Sequence, residues 1–304
     1  MEFLQPTSWH EALAARAAFP AAAPIAGGTD IMVELNFDRR RPQALLDLTR
    51  VAELTGWTTV GAKLRIGAGV TYADLTGERG ATGTGDLRGA LPGLALAART
   101  VGSPQIRNRG TIGGNLGSAS PAGDCHPPLL AAAAQIELAS VRGTRLVPAQ
   151  DFYTGVKRNA LAPDELIAAV WISRPTGPEQ FAKIGTRNAM VIAVVAFSLA
   201  LHPDRRTVGT GIGSAAPTPV RAADAERFLA GALDEDDLWE SRGPLAAAVV
   251  TEFAARVSAA ARPIDDVRGT AAYRRHALAV LARRTLNWAW HDYRAGRSAA
   301  SGKG

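Results

Sequence analysis

The stretch Ala23-Pro24-Ile25-Ala26-Gly27-Gly28-Thr29-Asp30-Ile31-Met32 decides the fold of the N-terminal part of this 304-residue chain. Its apolar start predicts the end of a buried strand, and Thr29 or Asp30 can cap a helix that runs from Ile31 to Leu35. A strand, two glycines and a helix start in succession are typical of an anion site, because bare backbone N–H groups and the helix dipole both favour a phosphate. A plain Gly-Gly turn is the alternative. The candidate binding residues of this first loop are Ile25, Ala26, Gly27, Gly28, Thr29 and Asp30.

A second glycine-rich stretch is Thr111-Ile112-Gly113-Gly114-Asn115-Leu116-Gly117-Ser118. Ile106, Ile112 and Leu116 are apolar anchors that a mobile surface loop, the alternative here, would not need. Arg107 and Arg109 can neutralise phosphate. Two such loops predict a ligand with two phosphates that is held from both sides, namely a dinucleotide. The candidate binding residues of this second loop are Thr111, Gly113, Gly114, Asn115, Gly117 and Ser118.

Two common nucleotide folds are disfavoured by the motifs of the chain. The sequence has no Gly-x-x-x-x-Gly-Lys-Ser/Thr pattern, which a P-loop nucleoside triphosphatase (NTPase) requires. Gly209-Thr210-Gly211-Ile212-Gly213 lacks the Gly-x-Gly-x-x-Gly spacing of a Rossmann site, and Pro217 and Pro219 follow it where a helix would have to begin. The sequence therefore predicts a dinucleotide site of a non-Rossmann kind.

The composition narrows the class of protein further. The chain carries 34 Lys and Arg against 28 Asp and Glu, a net charge of +6, but its arginines are scattered without a basic stripe, so we do not expect nucleic acid as a partner. No run of 18 apolar residues occurs, and the sequence from Met1 shows no secretory pattern, so we expect no membrane span and a cytoplasmic location. The single cysteine, Cys125, suits a reducing compartment.

With these loops, further segments give the chain its resemblance to a known family. The segments are Ala26–Asp30, Thr111–Asn115 with Ser120–Asp124, Phe181–Arg187 before an apolar run, and Gly213–Arg221. In their order and spacing the chain resembles the FAD-binding, medium-sized subunit of molybdenum hydroxylases, which include xanthine dehydrogenase and carbon monoxide dehydrogenase. The resemblance extends from Trp9 to Arg275, and Phe152–Lys157 and Leu161–Glu165 are most similar to xanthine dehydrogenase members.

The resemblance implies roles for individual residues. The first and second loops match the two pyrophosphate loops of FAD. Asp124 matches an acidic residue that bonds the hydroxyl-bearing part of FAD, and Lys183 matches a lysine near the isoalloxazine ring. Leu161 and Ile167 match apolar residues close to the flavin. The resemblance implies no catalytic side chain on this chain, because the chemistry takes place on the flavin. For Lys183 it implies an influence on the reduction of the flavin. The pair Cys125-His126 is unusual for the family and unexplained by it.

The resemblance and the sequence pattern together predict an α+β fold in two domains. The first, residues 1–174, is a two-lobed FAD-binding domain of the vanillyl-alcohol-oxidase-like (PCMH) type, with a small α/β lobe at about 1–53 and a larger, mostly antiparallel lobe at about 54–174. The second, residues 179–294, is a C-terminal α+β domain with a small antiparallel sheet and helices at 245–261 and 271–294. Residues 295–304 are small and polar, which predicts a disordered tail.

Metal centres are not expected on this chain. An iron–sulfur cluster takes about four thiolates, and the five histidines show no metal-ligand spacing. The resemblance therefore implies a large partner that carries molybdopterin, a small partner that carries [2Fe–2S] clusters, and a dimer of heterotrimers. FAD on this chain would accept electrons from the [2Fe–2S] clusters and pass them to NAD⁺ or another acceptor. The chain is most similar to xanthine dehydrogenase members.

Two alternatives stay open at this point. A self-sufficient FAD oxidase would need its own substrate pocket, and no histidine cluster or flavin-attachment motif lies near the loops. A scaffold subunit would have an incomplete flavin site, whereas both loops, Asp124 and Lys183 are present.

Overall fold

A computed structural model describes residues 1–78 and 86–296, and their elements follow one another in three groups. The small lobe comes first and has a parallel sheet in the order β1-β3-β2. Its two helices serve as the crossover connections that parallel strands require. The central strand of this sheet is buried along its whole length. The elements of the small lobe are β1 (Glu2–Leu4), α1 (Trp9–Ala18), β2 (Ala23–Ile25), α2 (Ile31–Asn36) and β3 (Ala44–Asp47).

The larger lobe is built on an antiparallel five-stranded sheet with a ring of short helices. Its strand order is β4-β5-β10-β6-β7, and β8 and β9 form a separate hairpin. A 3₁₀ turn at Ala52–Leu54 precedes it. The elements are β4 (Trp57–Val60), β5 (Lys63–Gly67), α3 (Tyr72–Thr76), α4 (Leu87–Ala90), α5 (Pro92–Arg99), α6 (Pro104–Arg109), α7 (Ile112–Ser118), α8 (His126–Ala131), β6 (Gln135–Ser140), β7 (Gly143–Pro148), α9 (Ala149–Phe152), β8 (Tyr153–Gly155), β9 (Arg158–Asn159) and β10 (Leu166–Ser173).

The C-terminal group pairs an antiparallel three-stranded sheet, in the order β11-β12-β13, with helices on one face. A 3₁₀ turn at Pro203–Arg205 joins its second and third strands. The elements are β11 (Glu179–Ile184), β12 (Val195–His202), β13 (Thr207–Gly213), α10 (Ala223–Glu235), α11 (Leu238–Ser241), α12 (Ala247–Ala260) and α13 (Ala271–Arg294).

The two lobes share one hydrophobic core and the C-terminal group has its own. Leu46 of the small lobe and Leu64 of the larger lobe belong to the same buried cluster. Phe197 of β12 packs edge-on against Phe253 of α12, with ring centroids 6.4 Å apart, inside the second cluster. The small lobe therefore cannot be separated from the larger lobe without exposing apolar surface.

The glycines of β13 let the C-terminal sheet meet the larger lobe at close range. A Cβ at Gly209 would lie 1.9 Å from the carbonyl oxygen of Ala131, and one at Gly211 would lie 2.0 Å from that of Pro127. Both carbonyls belong to α8. The glycines of this strand are therefore explained by the close packing of its backbone against the backbone of α8.

The mixed helix-and-sheet fold with small antiparallel sheets is confirmed, and several local expectations need correction. The glycine-rich stretch named the second loop is not a mobile loop, because residues 112–118 form α7. Ile112 and Leu116 are fully buried, as apolar anchors should be, but Ile106 is exposed. The apolar and polar residues of α13 suggest that Leu281, Thr285 and Trp288 share one buried face, but only Leu281 and Thr285 lie in the core and Trp288 is 46% exposed.

Other expectations concern the ends of the chain and its helices. Most of the predicted tail, from residue 297 onward, lies outside the described residues. The spacing of Ser8 and Glu11 predicts a capping box, but the structure forms only half of it: Ser8 caps α1 by accepting from the Glu11 N–H at 3.2 Å, and the Glu11 carboxylate accepts from the Thr7 N–H. None of the helices in residues 1–78 and 86–296 has both the length and the apolar character needed to cross a membrane.

A buried carboxyl group at the junction of the larger lobe and the C-terminal sheet makes stability depend on pH. Glu179 accepts a hydrogen bond from the Gly93 N–H at 3.0 Å, and burial raises its pKa from 4.5 to about 7. The folded state therefore holds a proton that the unfolded state releases, so stability falls as pH rises from about 4.5 through 7. We expect Glu179→Gln to remove this fall, which amounts to roughly 3 kcal/mol at most.

Urea denaturation between pH 5 and 8 would measure the effect. Glu165→Gln is the matched control, because Arg145 at 2.7 Å lowers the pKa of the equally buried Glu165 carboxyl. Its stabilising contribution is lost only as pH falls, so the control should keep the fall between pH 5 and 7. An unaltered pH profile in Glu179→Gln would contradict the assignment.

Candidate functional site

A cleft of about 600 Å³ lies between the small lobe and the larger lobe. One wall is the loop after β2 together with α2, and the opposite wall is α7 with the start of β10. Every predicted site residue lines this cleft except Asp124 and Lys183. Those that line it are Ile25, Ala26, Gly27, Gly28, Thr29, Asp30, Thr111, Gly113, Gly114, Asn115, Gly117, Ser118, Leu161 and Ile167.

The two glycine loops are joined by direct backbone contact. A Cβ at Gly27 would lie 1.7 Å from the carbonyl oxygen of Arg109, so only glycine permits this approach. On the other side, a Cβ at Gly113 would lie 2.6 Å from both the Cβ and the carbonyl oxygen of Ala68. The first loop, the second loop and the end of β5 therefore form one closely packed backbone layer at the base of the cleft.

The first loop offers unpartnered backbone donors. Within the described residues, the N–H groups of Gly27, Gly28, Thr29 and Asp30 donate to no acceptor. Gly28 adopts the left-handed region at φ +78°, which turns the chain from β2 into α2. Asp30 stands at the N-cap of α2 but makes no side-chain capping bond. These free donors are what an anion at this wall needs.

The second loop contributes surface and a side chain rather than free amides. The Gly113 N–H donates to the Ala68 carbonyl at 2.8 Å, and the Gly114 N–H donates to Thr111 Oγ1 at 3.0 Å. The expectation that both loops present bare N–H groups is therefore wrong for these two residues. A Cβ at Gly114 would meet only Thr111 Oγ1, at 3.1 Å, so this part of α7 is open. Asn115 adds a buried Oδ1 that has no hydrogen-bond partner.

Charged side chains of both signs line the cleft. Glu34 forms ion pairs with Lys157 at 3.2 Å and with Arg40 at 3.9 Å. Asp30 keeps exposed surface, yet the surrounding protein desolvates its carboxylate and raises its pKa, and this effect exceeds those of Ser118 and Lys157. The cleft is therefore not uniformly cationic, and its free backbone donors matter more for an anion than its net charge.

The structure separates two arginines that sequence reasoning treated alike. Arg109 lines the cleft. Arg107 instead pairs with Glu78 at 2.9 Å and donates to the carbonyls of Val101 and Gly102, so it holds α6 in place. Several lining residues were missed altogether, because their distance in sequence from the loops hid them: Arg16, Arg40, Thr49, Tyr72 and Lys157.

Asp124 and Lys183 meet each other behind the cleft. Lys183 Nζ lies 2.6 Å from Asp124 Oδ2, and each side chain is only 9% exposed. The ammonium also donates to the carbonyls of Thr100 at 2.8 Å and Val191 at 3.1 Å. Burial raises the pKa of Asp124 although Lys183 opposes the shift. The pair ties β11 to the larger lobe, and its contact with a flavin stays a prediction.

The unusual pair Cys125-His126 is structural. Both side chains are fully buried, and Tyr153 Oη lies 2.8 Å from His126 Nδ1. Burial lowers the pKa of His126 to about 3 and raises that of Cys125, so both side chains are neutral near pH 7. In the part of the chain that the structure describes, no group of three or more His, Cys, Asp or Glu side chains could hold a metal ion.

Comparison with known proteins agrees with this geometry. Residues 1–175 match the family model of the FAD-binding domain in molybdopterin dehydrogenase, and residues 180–289 match the C-terminal domain of the carbon monoxide dehydrogenase flavoprotein. The nicotinate dehydrogenase FAD-subunit of Eubacterium barkeri is 34% identical over 76% of this chain and 80% of its own length. The xanthine dehydrogenase FAD-binding subunit of Escherichia coli O157:H7 is 33% identical over 68% of this chain and 72% of its own. The solved structure of carbon monoxide dehydrogenase from Hydrogenophaga pseudoflava matches with a TM-score of 0.84 at 27% identity, over 96% of this chain and 97% of that one.

The backbone layer at the base of the cleft predicts unequal costs for two neighbouring alanine substitutions. Gly27→Ala forces a methyl group against the Arg109 backbone, so we expect it to destabilise the chain by at least about 3 kcal/mol. Gly28→Ala places its methyl 3.3 Å from Cγ of the flexible Met32 side chain and is strained at φ +78°, and it should cost about 1–2 kcal/mol. Gly231→Ala, in α10 with open space around the added methyl, is the control and should not destabilise. Denaturant melts of the three variants measure this, and equal stability of Gly27→Ala and Gly231→Ala would contradict the packing.

Proposed function

This chain belongs to the FAD-binding medium subunits of the molybdenum hydroxylase family, and from that premise we propose that it relays electrons between a [2Fe–2S] partner and NAD⁺ through FAD held in the cleft. The observation that carries the proposal is a set of unpartnered donors, the N–H groups of Gly27–Asp30, in residues that line a cleft opposite the glycine-rich surface of α7. Bound FAD supplies reversible exchange of two electrons.

The residues of the cleft fit the chemical parts of FAD. The free N–H groups of the first loop would donate to the diphosphate. Gly114 leaves space where a side chain would block that approach, and Asn115 Oδ1, buried without a partner, can accept a ligand hydroxyl or amine. Leu161 and Ile167 line the same cleft and would exclude water from an aromatic ring system.

Lys183 would act on the flavin through its fixed positive charge. Asp124 lies 2.6 Å away and offsets much of that charge, while Thr100 and Val191 hold the ammonium in place. Any effect of Lys183 on the reduction potential of FAD would therefore come from the part of its positive charge that Asp124 does not offset. The same ion pair joins β11 to the larger lobe, so it also has a structural role in holding the C-terminal sheet in place.

The proposed complex follows from what the chain lacks and what its relatives are named for. With one cysteine, this chain cannot ligate an iron–sulfur cluster of its own. We propose a large molybdopterin-binding partner, a small [2Fe–2S] partner and a dimer of heterotrimers in the cytoplasm. Relatives include subunits named for nicotinate and xanthine dehydrogenases, which supports a nitrogen heterocycle, with a purine such as xanthine as the first substrate to test. The large partner would select it.

Identity of the cofactor is the first test. We expect the chain to release FAD and no FMN on heat denaturation, because residues 1–175 match an FAD-binding domain and four successive free N–H groups can serve a diphosphate. Gly114→Val should weaken FAD binding at least tenfold, since its side chain would occupy the open surface of α7. Its unfolding free energy should change by no more than about 1 kcal/mol, the cost of disturbing the Thr111 cap.

Gly231→Val is the matched control for that experiment. It makes the same substitution in a helix far along the chain, where nothing lies within 4 Å of the added Cβ, and it should bind FAD normally. Release of FMN from the parent chain, or unaltered FAD affinity in Gly114→Val, would count against the proposed site.

The relay itself predicts a division of activities. We expect the isolated flavin-loaded chain to pass electrons from NADH to an artificial dye but not to oxidise xanthine, because no metal centre is ligated by its described residues. Co-purification from the native host should recover a complex that contains molybdenum and iron and oxidises the organic substrate. Metal analysis and mass measurement check this. Substrate oxidation by the isolated chain, free of molybdenum and iron, would favour a self-sufficient oxidase.

A further inference from the structure

Arg16, near the C-terminal end of α1, is a buried cation without a counter-ion. The residue is 9% exposed, and its Nη1 donates to the Ala22 carbonyl at 2.6 Å. Its Nε is buried and has no hydrogen-bond partner. Among the described residues the carboxylate of Asp164 acts on it only at longer range, and no carboxylate forms an ion pair with it. Such an arginine is costly unless another group completes its environment.

A structural role accounts for only part of this arrangement. A cation in the last turn of a helix interacts favourably with the helix dipole, and the bond to Ala22 fixes the turn that leads into β2. Neither effect uses Nε. Neither explains why the side chain forms part of the wall of the cleft. The position of this cation in the wall, with no carboxylate paired to it in the described structure, indicates a ligand group.

The position of Arg16 along the cleft indicates which group that is. Its guanidinium is bonded to Ala22, immediately before β2, whereas the free N–H groups of the first loop begin at Gly27, after β2 has ended. The three strand residues of β2, at about 3.3 Å each, and Ala26 after them put at least roughly 10 Å of chain between the two points. A diphosphate held at Gly27–Asp30 therefore leaves Arg16 facing one nucleoside end of a dinucleotide.

We propose that Arg16 binds the adenine base of the dinucleotide, an inference that rests on the proposed function of the cleft as an FAD site. The isoalloxazine ring must remain within reach of electron donors and acceptors. The end of the cleft at Arg16, whose side chain is nine-tenths buried, therefore suits the adenine base, which takes no part in electron transfer. Guanidinium N–H groups match the ring nitrogens of adenine, and the planar cation stacks on an aromatic face. Arg16 is thus a positioning and selectivity residue for FAD over FMN.

The test compares three ligands on four forms of the full chain. FAD, FMN and ADP are titrated into the flavin-free parent chain and into Arg16→Met, Arg16→Lys and Arg50→Met, and each flavin-free form is also melted. Arg50 is the control, because it is exposed, follows the lining residues Leu48 and Thr49, and its loss changes the net charge equally. We expect Arg16→Met to weaken FAD and ADP about tenfold and to leave FMN unchanged. Arg16→Lys should be intermediate and Arg50→Met like the parent.

The melting temperatures separate a ligand role from a structural one. The proposal requires that flavin-free Arg16→Met melts like the parent, because a buried unpaired charge is removed as the bond to Ala22 is lost. Equal weakening of FAD and FMN, unchanged FAD affinity, or an affinity loss that follows a drop in melting temperature would each overturn it. A parent chain that binds FMN as tightly as FAD would instead refute the proposed function itself, whatever Arg16 does.

Discussion

The contact between Gly27 and the backbone of Arg109 and Gly110 is the constraint on which the rest of the N-terminal structure depends. It brings the loop after β2 against the segment that precedes α7, at a distance that no side chain would allow. Because Gly113 also approaches Ala68 too closely for a side chain, the same layer fixes the residue that follows β5. The cleft exists because two lobes with one shared core are pinned together at this base and diverge above it. Glycine is required here by backbone packing before any ligand is considered.

The C-terminal group is held by the same kind of contact and by buried polar bonds. Gly209 and Gly211 admit the carbonyls of α8, and Glu179 and Lys183 of β11 bond to Gly93, Thr100 and Asp124 of the larger lobe. Removing one partner of such a buried ion pair is strongly destabilising, because the other charge is left uncompensated. The β11 junction therefore fixes the position of the C-terminal sheet against the larger lobe.

Polar groups near the cleft divide into those that are satisfied within the fold and those that are not. Arg107 pairs with Glu78, and the amides of Gly113 and Gly114 are bonded internally, whereas His126 bonds Tyr153 at Nδ1 and has a buried Nε2 without a partner. The donors of the first loop, Asn115 Oδ1 and Arg16 Nε have no partners in the described structure. Arg16 and Asn115 both line the cleft together with the free donors of the first loop, and polar groups that the fold leaves unpartnered in one cleft support a ligand there.

The sequence by itself determined what local pattern and composition can determine. The strand, glycine turn and helix of residues 23–36, the long α13, the family resemblance and the absence of enough thiolates for a cluster all follow from neighbouring residues or simple counts. The tertiary structure alone decided which polar groups are left free. It assigned Arg107 to Glu78 and Arg109 to the cleft, paired Lys183 with Asp124, turned the second loop into α7, and placed Arg16 in the wall. The reason is physical: a hydrogen-bond donor is free or satisfied according to atoms that lie tens of residues away in the chain, and only folding brings those atoms within about 3 Å of it.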